Sequence, residues 1–193
     1  MRKIVIEGNI GAGKSTILTE LRTPLEKQFE PVEKYTLLES YYKDPFRYAN
    51  DLQVQVADVN LELEQKFTTP TVFERTVESS VHIFSSMAYD ENMITRDQFE
   101  NLKSRLNKSA PVAAFIYIDV DLDTCMERIK LRGRPGEEKI KKEYLQKLKA
   151  KMDLLYDMYS NIGIPCLRLN NATGHMNHAL KDIENFLIAT DFN

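Results

Sequence analysis

Apolar positions along this chain fall into two patterns. Short, near-continuous apolar runs at residues 3–7, 71–73, 112–118 and 164–169 have the signature of strands buried in a parallel sheet. A fifth, weaker strand is read at residues 30–35. Between the runs, apolar residues recur at spacings of three and four, the helical period. The first helix follows residue 16 and is predicted to continue to about Phe29. The next opens at Asp44-Pro45, with Asp as N-cap and Pro at the first helical position. It carries Ala49, Leu52, Val56, Val59, Leu63 and Phe67 and stops near Pro70. Val77, Val81, Phe84 and Ala88 mark another, and Thr95 with Gln98 makes a capping box for the one after it. Asp121 caps a helix holding Cys125 and Ile129, which Gly133 and Pro135-Gly136 interrupt. A charged helix covers about residues 138–160, and a closing helix bears Met176, Leu180, Ile183 and Leu187. Strands alternating with helices predict a single three-layer α/β domain over residues 1–193, with a parallel sheet.

Composition narrows the class. The chain has 193 residues, enough for one well-packed α/β domain. Its net charge of −3 and pI of about 5.7 do not favour nonspecific binding to nucleic acid or to anionic membranes. Two cysteines, Cys125 and Cys166, argue against a disulfide framework and fit a reducing compartment, so a cytoplasmic location is expected. No apolar run approaches the roughly 20 residues that span a bilayer, and with the first strand starting at residue 3 no leader is expected.

The chemistry begins between the first strand and the first helix. Gly8-Asn9-Ile10-Gly11-Ala12-Gly13-Lys14-Ser15-Thr16 fits G-x-x-x-x-G-K-[ST], the phosphate-binding loop. Its glycines let the backbone turn tightly and aim N–H groups at a phosphate chain. Lys14 brings a point charge to the terminal phosphates, and the Ser15 hydroxyl is a ligand for Mg²⁺. Nucleotide binding follows; the use of the nucleotide does not, because the loop serves kinases, ATPases and GTPases alike.

Phosphoryl transfer to a hydroxyl needs a carboxylate to orient or deprotonate the acceptor, a pocket for it, and positive charge on the moving group. Glu33, at the end of the strand read at 30–35, supplies the carboxylate, since open α/β sheets bind ligands at the C-terminal ends of their strands. Glu74-Arg75 follows a second strand. Arg128 and Arg132 share a helix face and Arg134 follows Gly133, a set that reads as a mobile lid over phosphates at about residues 128–140. Gln53, Val56 and Asn60 form one stripe of the long helix, and a glutamine amide offers a donor and an acceptor to a base edge.

These residues carry a resemblance. GNIGAGKST at 8–16, EPVEKY at 30–35, YYKDP at 41–45, FERT at 73–76 and RIKLRGRPGEE at 128–138 occur in the order found in the deoxyribonucleoside kinases. The chain resembles that family, which includes deoxycytidine, deoxyguanosine, mitochondrial thymidine and insect multisubstrate kinases. The resemblance implies a five-stranded parallel sheet of order 2-3-1-4-5, usually in a homodimer, with ATP as donor and Mg²⁺ as cofactor. It implies that Glu33 acts on the nucleoside 5′-hydroxyl with Arg75 nearby, and that Gln53 pairs with the base. Tyr42 and Glu137 then hold the sugar 3′-hydroxyl, Glu74 lies in the Mg²⁺ shell, and Lys14 with Arg128, Arg132 and Arg134 contacts phosphates. Ser80 stands where deoxycytidine and deoxyguanosine kinases carry aspartate, and Val56 where they carry arginine. This neutral pair implies a roomier, pyrimidine-accepting cleft.

Two rivals are weighed. A thymidylate-kinase-like enzyme would accept a phosphate dianion, which a carboxylate after the second strand repels. A P-loop ATPase switch would use Asp119, at the end of the 115–119 run, on the metal; the alternative is that Asp119 is a polar strand end. The expected function is therefore a deoxynucleoside kinase of nucleotide salvage.

Overall fold

The computed structural model describes residues 2–170 and 176–192. Five strands, β1 (Lys3–Gly8), β2 (Glu26–Gln28), β3 (Thr71–Glu74), β4 (Val112–Asp119) and β5 (Cys166–Asn170), form one sheet in the order β2-β3-β1-β4-β5. Every pairing is parallel, and the order is the one the resemblance implied. All six residues of β1 are buried, as expected of the central strand. Ile4, Ile6, Ile17, Leu18, Phe115, Ile116 and Ile118 are fully enclosed with it. Each such side chain contributes about 1.5–3 kcal/mol relative to exposure.

Register sets the site. Ile6 pairs with Glu74 across β1 and β3, and Gly8 with Ile118 across β1 and β4. The phosphate loop and Glu74-Arg75 therefore leave the sheet at the same edge. Helix α1 (Lys14–Glu20) starts directly from the loop. After it come α2 (Leu38–Lys43) and α3 (Pro45–Glu64), the latter capped by Asp44, whose side chain accepts from the Arg47 N–H, with Pro45 at the first position. The helices α4 (Ser86–Asp90) and α5 (Arg96–Lys103) follow, α5 with the expected Thr95–Gln98 capping box. Asp121 caps α6 (Leu122–Arg132), and Gly133 ends it in a left-handed conformation. Last come α7 (Lys142–Asn161) and α8 (Met176–Ala189). A second apolar cluster, with Tyr35, Tyr41, Ala49, Leu52 and Leu102 at its centre, packs α2, α3 and α5 into the wall facing the phosphate loop. Among the described residues no helix is long and apolar enough to cross a membrane.

Four expectations change. The first helix ends at Glu20 rather than near Phe29, because Thr23-Pro24 cannot continue it. The second strand is Glu26–Gln28, not residues 30–35. It is a three-residue edge strand of polar side chains, invisible to an apolar pattern, and residues Val32–Lys34 form a 3₁₀ turn instead. The helix opened by Asp44 stops at Glu64, short of Pro70. Its successor is split into a π-helical turn, Ser79–Ser85, followed by α4.

Candidate active site

A cleft of about 1060 Å³ opens between the phosphate loop, α3 and the segment following α6. Of the expected site residues, Gly8, Asn9, Ala12, Asn60 and Ser80 do not line it; the others do. Gly8 and Gly11 show why the loop needs glycine. A Cβ on Gly8 would meet the Ile118 carbonyl at 2.6 Å, and one on Gly11, at φ +80°, would meet the Cys125 carbonyl at 2.5 Å. Asn9 donates through Nδ2 to the Leu145 carbonyl at 2.8 Å and so fastens the loop to α7. Lys14 is buried, and its Nζ donates to the Gly8 and Asn9 carbonyls, each at 3.0 Å. Burial lowers its pKa, with the Arg75 charge acting the same way, while Glu74, Glu7 and Glu30 oppose the shift.

Ser15 Oγ donates to Glu74 Oε1 at 2.8 Å. This brings a hydroxyl and a carboxylate together at the loop, the hard-oxygen donor set that Mg²⁺ takes alongside phosphates and water. Asp119 serves no such purpose: it is paired with Lys149 at 2.6 Å and Arg168 at 2.6 Å, a structural strand end.

Arg75 is the most constrained group in the cleft. It follows β3 with φ +61°, rare for a residue with a side chain. Its Nη1 donates to both oxygens of Glu30 at 3.1 and 3.3 Å, its Nε to Glu7 at 3.3 Å, and its Nη2 to the Gly8 carbonyl at 3.3 Å. The guanidinium lies 4.8 Å from the Phe84 ring centroid. Burial works against its charge, but Glu30 first and then Glu7 and Glu74 overcome this and raise its pKa.

Glu33 sits in the 3₁₀ turn with its side chain exposed at the rim, while Glu30, three residues earlier and half-buried, meets Arg75 inside. The carboxylate after the second strand is thus Glu30. Reading the strand four residues late shifted the choice to Glu33. The signal available was Glu30-Pro31, since proline keeps the strand from continuing and leaves Glu30 as the last polar side chain before the turn.

Gln53 is buried on the cleft-facing side of α3, and its Oε1 has no hydrogen-bond partner among the described residues. Val56 lines the cleft one turn on. Ser80 lies within the π-helical turn at 1% exposure, behind the wall rather than on it. Asn60, deeper on the same helix, accepts from the Tyr35 hydroxyl at 3.4 Å.

The segment after α6, read above as a lid, is held by its own carboxylate. Arg132 pairs with the buried Glu137 at 2.7 Å and Arg134 with the same group at 3.4 Å. Arg128 donates to the Gly11 and Ala12 carbonyls at 3.4 and 3.2 Å, at the loop itself. Tyr42 packs against Gly136; its hydroxyl pKa is raised by burial and by the nearby Glu137 charge.

Comparison with known proteins agrees with this geometry. Residues 4–188 match the family model described as deoxynucleoside kinase. The kinase protein 143R of Invertebrate iridescent virus 6 is 39% identical over 158 residues, 78% of this chain and 80% of its own. The deoxyadenosine kinase of Dictyostelium discoideum is 33% identical over 181 residues, covering 86% of this chain and 71% of its own. The deoxyadenosine kinase of M. mycoides, solved with the products dCMP and a flexible dCDP bound, superposes with a TM-score of 0.83 at 28% identity over 97% of this chain and 98% of that one. The chain belongs to the deoxynucleoside kinase family.

Proposed function

We propose that this kinase transfers the γ-phosphoryl group of ATP to the 5′-hydroxyl of a deoxynucleoside in nucleotide salvage, with pyrimidines such as thymidine and deoxycytidine favoured. The observation that carries the reading is the Glu30–Arg75 pair at 3.1 Å, at the same sheet edge as the phosphate loop. Glu30 accepts the proton of the 5′-hydroxyl, and Arg75 holds that oxygen in line. Lys14 and the loop N–H groups hold the donor phosphates, and Arg128, Arg132 and Arg134 balance the charge that develops on the moving group. Gln53 offers its free acceptor and its N–H to the base edge, and Tyr42 and Glu137 take the sugar 3′-hydroxyl. Ser15 and Glu74 would hold Mg²⁺, which would supply charge neutralisation to the donor phosphates.

The charge balance favours a neutral acceptor. Around Lys14 and Arg75 stand three carboxylates, Glu7, Glu30 and Glu74, so two cations face three anions. A monophosphate dianion entering there would be repelled. The neutral Val56 on the base side supports a pyrimidine. The reading includes a homodimer, carried by the family resemblance, and action in the cytoplasm, which suits two free cysteines.

The test is a kinase assay with ATP and Mg²⁺ across thymidine, the other three deoxynucleosides and thymidine monophosphate. Thymidine or deoxycytidine should give the highest kcat/KM. A higher value for deoxyadenosine or deoxyguanosine overturns the pyrimidine preference, and phosphorylation of the monophosphate alone overturns the hydroxyl acceptor.

A further inference from the structure

Two buried carboxylate clusters lie at opposite ends of β1, and they differ in how well their oxygens are satisfied. At the start of the strand, Glu64 and Glu78 use both oxygens: Lys3, Ser109, Val77 N–H and Thr76 account for all four. That is what a structural cluster requires. At the other end, Glu7 is fully buried, yet only Oε1 is bonded, to the Gly8 N–H at 2.8 Å and to Arg75 Nε at 3.3 Å. Its Oε2 has no hydrogen-bond partner among the described residues. A buried carboxylate left half-satisfied is costly, and such a group calls for an explanation beyond packing.

The geometry points to Glu7 as a positioning residue that acts through Arg75. Glu7 precedes the first glycine of the phosphate loop. It bonds at one oxygen to the N–H of that glycine and to Arg75, while the Gly8 carbonyl takes Arg75 Nη2. The Arg75 N–H also donates to the Ile6 carbonyl at 3.2 Å. The arginine on the acceptor side is thereby fastened at three points to Ile6, Glu7 and Gly8, the residues that lead into the donor loop. Glu30 is the other carboxylate on Arg75, and it must turn to the acceptor hydroxyl during turnover. Glu7 has no such task, and it keeps the guanidinium in register with the loop when Glu30 releases it. Donor and acceptor are aligned through one side chain, and an ångström of misplacement in an in-line transfer is expensive.

The inference rests on the proposed acceptor-side role of Arg75. It is tested by Glu7→Gln, Arg75→Lys and the double variant, with kcat, KM for the deoxynucleoside, ATP affinity by calorimetry and melting temperature measured for each. Lysine has no Nε, so the bond that Arg75 makes to Glu7 through that atom is lost in Arg75→Lys. Glu7→Gln should lower kcat at least tenfold, leave ATP affinity within about threefold, and cause little further loss in the Arg75→Lys background. Equal losses in both backgrounds, or an unchanged kcat, overturn the inference. An unaffected Arg75→Lys enzyme instead removes the role of Arg75 on which it rests. Where Glu7→Gln does not fold, Glu7→Asp keeps the charge and shortens its reach, and should show the same kcat loss with ATP binding retained. Normal turnover in Glu7→Asp, or failure of both variants to fold, assigns Glu7 to the core and overturns the inference.

Discussion

Arg75 Nη1 reaches both carboxylate oxygens of Glu30, at 3.1 and 3.3 Å, whereas Glu33 stands exposed in the turn that follows. A general base has to lie within hydrogen-bond reach of the proton it removes, and only one of these two glutamates is held at the floor of the cleft. Glu30→Ala is expected to lower kcat by roughly 10²-fold or more, the scale of lost acid–base catalysis, with ATP affinity retained. Glu33→Ala should stay within about threefold of the parent, as surface changes away from the chemistry do. Steady-state kinetics on both variants decides the assignment, and the reverse pattern would restore Glu33.

Ser15 lies in the first turn of α1 and Glu74 ends β3, and their 2.8 Å hydrogen bond closes one side of the phosphate loop. With Mg²⁺ at this site, both side chains are donors or close supports of donors. Ser15→Ala and Glu74→Gln should each raise the Mg²⁺ concentration for half-maximal rate by roughly tenfold. A magnesium titration at saturating ATP and deoxynucleoside reads this directly. An unchanged midpoint in both variants would place the metal elsewhere.

The residues that were legible in the sequence are those whose chemistry is local. The phosphate loop is a continuous motif between a strand and a helix, so Gly8 through Thr16 could be placed at once. Asp44-Pro45 and Thr95–Gln98 announce their helix starts through capping chemistry alone. The apolar runs of β1 and β4 are visible because both faces of the sheet are covered. The β2 strand was missed because Glu26, Lys27 and Gln28 are all polar; an edge strand is held by backbone pairing to β3, which leaves no hydrophobic trace. That reading put the candidate carboxylate at Glu33, whereas the one paired with Arg75 is Glu30. Glu7 was passed over as a strand residue, since its partner Arg75 lies 68 positions away. The π-helical turn at Ser79–Ser85 gave no warning either, because its apolar spacing imitates an α-helix.

Gly136, in the segment after α6, has φ +87°, and a Cβ there would come within 2.9 Å of Tyr42 Cδ2. Gly133 has φ +62° and open space where its Cβ would lie. Alanine at either position carries the left-handed backbone cost of about 1–2 kcal/mol. Only Gly136→Ala also pushes on the tyrosine proposed to hold the sugar. Gly136→Ala should therefore lower kcat/KM for the deoxynucleoside by at least tenfold, while Gly133→Ala loses less than about threefold despite a similar drop in melting temperature. Equal kinetic losses would mean that lid backbone strain, not the Tyr42 contact, governs the acceptor.

Lys3 is wholly buried and donates to Glu64 at 3.0 Å, to Glu78 at 2.8 Å and to Ser109 at 2.6 Å. The cluster ties the start of β1 to the end of α3, to the segment before the π-helical turn and to the approach to β4. It lies a full strand length from the phosphate loop, about 17 Å at the usual rise for the five steps from Lys3 to Gly8. Removing the lysine leaves two carboxylates buried without their cation. Lys3→Met should then lower unfolding free energy by about 3–5 kcal/mol, the loss typical of breaking a buried ion pair from one side. Urea denaturation measures this. Replacing all three charged groups together, as Lys3→Met with Glu64→Gln and Glu78→Gln, should recover part of the loss, because no uncompensated charge remains. In both variants the kcat of the folded protein should match the parent at temperatures well below the transition. A fall in kcat without a fall in stability would show that the two ends of β1 are coupled, contrary to the separation argued here.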